Sequence, residues 1–158
     1  MDKDELGHTA KFSGKRVAVV MKPPDRQEMA MYTKQTNAVL DFIHGNLDGS
    51  LSLERLSAIA SFSPYHFHRV FKLIVGETLL VYVNRTRIDK ACRFLAFHEN
   101  LSMREISLEC GFSSLAGFSR TFRAIHGMSP TEYRLRFHAF KPWTDTLAEQ
   151  RFRLAMEA

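Results

Sequence analysis

From Tyr32 onward, apolar residues recur at helical spacing. Val39, Leu40, Phe42, Ile43 and Leu47 share one face, and Gly45, Asp48 and Gly49 then break the pattern. This predicts a first helix starting at Tyr32. Ser52, ahead of Leu53-Glu54-Arg55-Leu56, can accept a hydrogen bond from an early amide and reads as the N-cap of a short helix ending near Ala60. Ser61-Phe62 is the turn. Ser63-Pro64 opens the next helix, with serine as cap and proline at the first position, where its missing N–H costs nothing, and Gly76 stops it. A longer helix is predicted from about Thr78 to Phe97, ~30 Å long at ~1.5 Å per residue. Val81, Ile88, Cys92 and Leu95 lie on one stripe of it, with Arg85, Arg87, Lys90 and Arg93 largely around that stripe. Residues 1–31 read as an N-terminal extension or arm, with mixed charges, the Pro23-Pro24 break and one β-branched run, Val17 to Val20, that has no evident strand partner. Residues 138–158 read as a tail. From Thr144, Leu147, Phe152, Leu154 and Met156 fall among charges, the pattern of a short helix that packs back or self-associates.

The pattern then repeats. At an offset of 51, Ser63, Phe67, Arg69, Phe71, Ile74 and Gly76 recur as Ser114, Phe118, Arg120, Phe122, Ile125 and Gly127, six identities in fourteen positions. Upstream of the turn the offset is 50, since Leu53, Leu56, Ala60 and Phe62 match Met103, Ile106, Cys110 and Phe112, so the second turn is one residue longer. Two short helices joined by a tight turn, the second apolar inside and polar outside, match the helix-turn-helix, whose second helix enters the DNA major groove. The expected fold is therefore all-α, with two helix-turn-helix subdomains joined by a long linker helix.

In the first unit Phe67, Val70, Phe71 and Ile74 are assigned to the core, leaving Tyr65, His68, Arg69 and Lys72 outward. In the second, Phe118, Phe122 and Ile125 face inward and Leu115, Ala116, Ser119, Arg120 and Arg123 outward. Arg69 and Arg120 are equivalent, and each guanidinium can donate two bonds to guanine O6 and N7. Leu115 and Ala116 offer apolar contact, as to a thymine methyl. Ser63 and Ser114 at the helix starts, and Lys72 and Arg123 one turn beyond the arginines, suit phosphates. A rigid ~30 Å connector can hold two recognition helices near the ~34 Å repeat of the major groove, which predicts an asymmetric site of two elements and DNA bending where the spacing falls short.

Charge narrows the partner. Lys and Arg number 22 against 17 Asp and Glu, and the excess falls on residues 51–137, where 12 face 7. His66 and His68, two apart, point in different directions on a helix, and Cys92 and Cys110 have no ligand-spaced companions, so no metal, cofactor or disulfide framework is expected and both thiols are read as buried. The six phenylalanines Phe62, Phe67, Phe71, Phe112, Phe118 and Phe122 are core by spacing, which argues against a stacking platform for single strands. No nucleophile elbow, phosphate loop or suitable carboxylate pair is present, so an enzyme is not expected. No run approaches the ~18 apolar residues of a membrane span and MDKDELGHTAKF has no signal-peptide core, which predicts a reducing, cytoplasmic setting without membrane partners.

LSLERLSAIASFSPYHFHRVFK, the long helix, and then LSMREISLECGFSSLAGFSRTFRAIHGMSPTEYR resemble the DNA-binding domain of the AraC/XylS family over about residues 35–137, most specifically in GFSS, FSRTF and GMSPTEYR. The resemblance implies about seven helices in a module placed at 32–137, bacterial transcription control, usually activation through RNA polymerase, and DNA contact by both recognition helices. By position it points to Tyr65, His68 and Arg69, and to Leu115, Ala116, Ser119 and Arg120, as base readers. Two departures stand out. Ser61 replaces the usual first-turn glycine at a position that often needs positive φ, so a strained or differently shaped turn is expected there. Gly117 costs ~1 kcal/mol of helix propensity within the second recognition helix, either allowing close approach to the DNA or marking a looser helix start. Many members carry a separate effector domain, for which this chain has no evident room, and no effector is identifiable. The chain reads as a stand-alone regulator, a truncated gene, or a DNA-binding fragment of a larger effector-responsive regulator. An architectural DNA-binding protein of low specificity is the alternative of a different class.

Overall fold

Hydroxyl and carboxylate caps set where the helices begin. The computed structural model describes residues 23–139, in the order α1 (Arg26–Gly45), α2 (Leu53–Ile59), α3 (Pro64–Val75), α4 (Leu79–Phe97), α5 (Met103–Glu109), α6 (Leu115–His126) and α7 (Pro130–Ala139), with no strand among the described residues. The run Val17–Val20 and the tail from Thr144 lie outside them. Ser52, Ser63, Thr78, Ser102 and Ser114 each accept a backbone amide at the start of α2 to α6, and Gly76 and Gly127 end α3 and α6 in the left-handed conformation. Helix α1 begins at Arg26, not at Tyr32. Asp25 accepts the amides of Gln27 and Glu28, while Glu28 accepts the Asp25 amide, a capping box that extends the helix past its apolar face.

The two units fold alike. Residues 51–60 and 101–110 show the same burial at every position, with the serines Ser57 and Ser107 buried and their hydroxyls donating back to Glu54 and Arg104 carbonyls. Both turns close the same way: Ser61 N donates to Ala58 O and Phe62 N to Ser57 O in the first, Gly111 N to Leu108 O and Phe112 N to Ser107 O in the second. Ser61 adopts φ +57° and is the only non-glycine residue with positive φ among the described residues, so the first turn keeps the shape of the second and carries the strain instead.

Each unit has its own core. The first joins Val39, Ile43, Leu56, Phe67 and Phe71 to Leu79, Tyr82 and Val83 of α4, and the second joins Ile88, Ala91 and Leu95 of α4 to Ile106, Cys110, Phe112, Phe118 and Phe122. At roughly 100° per residue, the first three α4 residues and the second three fall on nearly opposite faces of that helix. Val81 departs from the expected stripe, at 51% exposed. It shares a face with the second-core residues but lies at the end of α4 that the second core does not reach. Ile125 departs likewise, at 44% exposed. In the last turn of α6 it is the half-buried His126 that packs inward, its ring 4.7 Å from Phe122 and 5.4 Å from Tyr133 of α7. Cys110 is buried, whereas Cys92 is only half-buried, with Sγ 3.3 Å from His126 Nε2.

Candidate nucleic-acid interface

Helices α3 and α6 are each 12 residues long, and neither contains an aspartate or glutamate. Phe67, Val70 and Phe71 of one and Phe118 and Phe122 of the other are buried, while Leu73, Leu115 and Ile125 stay exposed. What remains outside is basic or neutral. In α3, Tyr65 (73% exposed), His68 and Lys72 face solvent and Arg69 is half-buried. The Arg69 guanidinium lies over the Tyr65 ring at 5.6 Å and donates to its hydroxyl at 3.4 Å. That contact engages one of the five N–H donors of the guanidinium and leaves the others for a base edge. In α6, Leu115, Ala116, Arg120 and Arg123 are exposed and Ser119 is half-buried. Arg120 has no aromatic neighbour like Tyr65, because the equivalent residue is Ala116.

Ser63 and Ser114 are exposed, and each hydroxyl oxygen already accepts a helix amide, from His66 at 3.4 Å and Gly117 at 3.1 Å. The hydroxyl proton stays available to an anion, beside the partial positive charge of a helix start. Gly117 has a local reason. A Cβ there would stand 3.1 Å from Ser114 Oγ, so the glycine leaves room for the cap that starts α6. His66 is not outward. Its ring packs edge-on against Phe62 at 4.7 Å and Tyr32 at 5.5 Å, while His68 points to solvent, so the two histidines separate as their spacing implied.

Thus the structure puts the candidate residues on two outward helix faces, one per core. The reactive chemistry elsewhere is quiet. Burial pushes the Cys110 thiol up to about 11 and also raises Cys92, so both are thiols at neutral pH. Among the described residues no group of three or more histidine, cysteine or acidic side chains could hold a metal, and no helix is long and apolar enough to cross a membrane.

One functional group escaped sequence reasoning. Arg87, counted only among the charges flanking α4, donates from Nε to Leu47 O at 2.9 Å and from Nη2 to Gly49 O at 3.0 Å. Burial pulls its pKa below the ordinary guanidinium value, and the two backbone carbonyls accept hydrogen bonds from its N–H groups. Spacing along α4 offers no signal for such a contact, because its partners lie some 40 residues away in the α1–α2 loop.

A family model described as a helix-turn-helix domain matches residues 56–136. The chain is 38% identical over 97 residues to the HTH-type transcriptional activator AarP of Providencia stuartii, covering 61% of this chain and 71% of the relative. It is 35% identical to the probable transcriptional regulator LumQ of Photobacterium leiognathi over 64% of this chain, but spans only 41% of that relative's length. Among solved structures, the DNA-binding domain of the transcriptional factor AdpA, crystallised with a target DNA, superposes with a TM-score of 0.65 at 28% identity, over 69% of this chain and 97% of that one. A regulator of the AraC type from Chromobacterium violaceum gives 0.61 at 26% identity, over 68% and 96%.

Proposed function

Since the chain belongs to the AraC/XylS family of DNA-binding transcription regulators, we propose that it recognises one asymmetric promoter element through two successive major grooves and activates transcription from it. The observation that carries this reading is the pair α3 and α6, free of acidic residues and each bearing an outward arginine at the same place in the repeat, mounted on two cores that share one helix. Tyr65, His68 and Arg69 read one groove, and Leu115, Ala116, Ser119 and Arg120 the next. Ser63, Lys72, Ser114 and Arg123 hold phosphates. The DNA-binding module is the α1–α7 unit, the setting is the bacterial cytoplasm, and the polymerase is the protein partner through which activation passes. A regulator named as an activator among the relatives supports that direction of control.

Selection from a random duplex pool at near-physiological salt tests the reading. A bipartite, asymmetric motif with its elements about one turn apart, bound ~10³-fold or more above scrambled DNA, is expected. Enrichment of no motif would replace it with the architectural alternative.

A further inference from the structure

The two cores share no side chain, so the relative placement of α3 and α6 depends on α4 and on whatever ties the units together beside it. Between Val83, the last α4 residue of the first core, and Ile88, the first of the second, the helix passes through four residues, Asn84 to Arg87. There the burial switches from one face to the other, and Thr86 donates its hydroxyl back to Tyr82 O at 2.9 Å, a bond that favours bending. This is where the two units would swivel.

Three contacts meet at that point. Arg87 reaches the carbonyls of Leu47 and Gly49, which belong to the α1–α2 loop of the first unit. The same guanidinium lies 5.9 Å from the ring of Phe112 and rests against Gly111, both in the turn of the second unit. One turn along, Lys90 Nζ donates to Glu109 O at 2.6 Å, fixing α4 to the end of α5. Gly111 makes the approach possible: a Cβ there would lie 2.1 Å from Leu47 O and 2.8 Å from Arg87 Nη2. The equivalent turn residue Ser61 does carry a Cβ at positive φ, so positive φ alone does not explain why glycine stands at 111.

The geometry points to Arg87 and Gly111 as positioning residues that fix the spacing and rotational phase of the two recognition helices, and so select the distance between the two halves of the DNA site. This rests on the two-groove reading above. Two binding elements on a stiff connector of matched length gain a high effective concentration at one spacing and lose it at others, whereas a loose connector binds less tightly but tolerates a range. Each base pair inserted between the halves moves the second by about 3.4 Å and turns it by roughly 35°, so a rigid protein should notice a single insertion.

The experiment is a spacer series. The selected bipartite duplex, versions with one base pair added or removed between the halves, and a duplex with one half scrambled are titrated with the wild type, Arg87→Ala, Arg87→Lys and Gly111→Ala, each checked for helical content and melting. The wild type should lose ~10-fold or more on a one-base-pair insertion. Arg87→Ala should lose ~10-fold on the matched site, change by less than about threefold across the series, and bind the single-half duplex as the wild type does. Arg87→Lys keeps the charge but cannot span both carbonyls, so a flattened profile there assigns the effect to geometry rather than to lost attraction for DNA. Gly111→Ala disturbs the same junction by crowding and should also lose the matched site while keeping the single half. Folded variants at either position that retain the wild-type spacing profile, or lose the single-half and matched sites equally, overturn the assignment of these residues alone. A wild type indifferent to spacing or to loss of one half overturns the two-groove reading, and this inference with it.

Discussion

At the scale of single residues, the proposed readers differ in how firmly they are held. Arg120 stands exposed on α6, while Arg69 rests on the Tyr65 ring and is pre-oriented by it. Arg120→Ala should cost ~1–3 kcal/mol on the preferred sequence and relax selection at one position, whereas Lys72→Ala should weaken all sequences alike and lower the salt slope by about one. Titrations against single-base variants separate these, and equal loss on every DNA would remove Arg120 from the base readers. Tyr65→Ala should impair the same base position as Arg69→Ala, with the double variant little worse than either; strict additivity would show the stacking to be incidental. Ser61 carries the other residue-scale prediction. Its left-handed backbone costs a side-chain-bearing residue ~1–2 kcal/mol, partly offset by the greater unfolded-state freedom of glycine, so Ser61→Gly should stabilise by roughly 0.5–1 kcal/mol. Thermal unfolding measures this, and a lower melting temperature would mean that the Ser61 side chain compensates its strain. The need for positive φ was implied by the family resemblance, in which glycine usually stands at this turn position. The crowding at Gly111 was not, because the atoms that forbid a Cβ come from Leu47 and Arg87, remote in sequence.

At the scale of elements, caps were the most legible feature, because a cap depends on residues three or four apart. Ser52, Ser63 and Ser114 fall where the sequence places them, and the missed start of α1 also had a local signal, Asp25 followed by Glu28 at capping-box spacing. Apolar periodicity starts at Tyr32 only because the first turns of α1 project beyond the core. Capping boxes also begin α5 and α7, where Ser102 and Ser129 face Glu105 and Glu132. The hydroxyl and then the amide of Ser102 hold the Glu105 carboxyl below the usual range, and the amide and then the hydroxyl of Ser129 do the same for Glu132. A depressed native value means the contribution is present above the ordinary carboxylate pKa of about 4.3 and is lost as pH falls through the native value. Melting temperature should therefore drop on acidification below about pH 4, with a shallower fall in Glu105→Gln. An unchanged acid slope in that variant would exclude Glu105 as a contributor.

At the scale of the molecule, the repeat predicts two units and a connector, and both are present. The connector is more than a spacer, since each half of α4 completes a different core on an opposite face, which a single apolar stripe including Val81 could not express. Its 19 residues span about 28 Å at ~1.5 Å per residue, short of the ~34 Å groove repeat. Simultaneous docking of α3 and α6 should therefore bend the DNA, measurable by the mobility of circularly permuted fragments; a straight complex would place the recognition helices a full repeat apart. The all-α class, most helix ends and the outward faces of the recognition helices were legible in the chain because they follow from spacings shorter than one helix, and the two helix-turn-helix units because the same short pattern recurs some 50 residues on. Which face of α4 each core occupies, that the half-buried His126 and not Ile125 packs on Phe122 and Tyr133, and that Arg87 and Gly111 join the two units came from the packed fold alone. Those outcomes depend on atoms brought together from far along the chain, where neither periodicity nor propensity carries information.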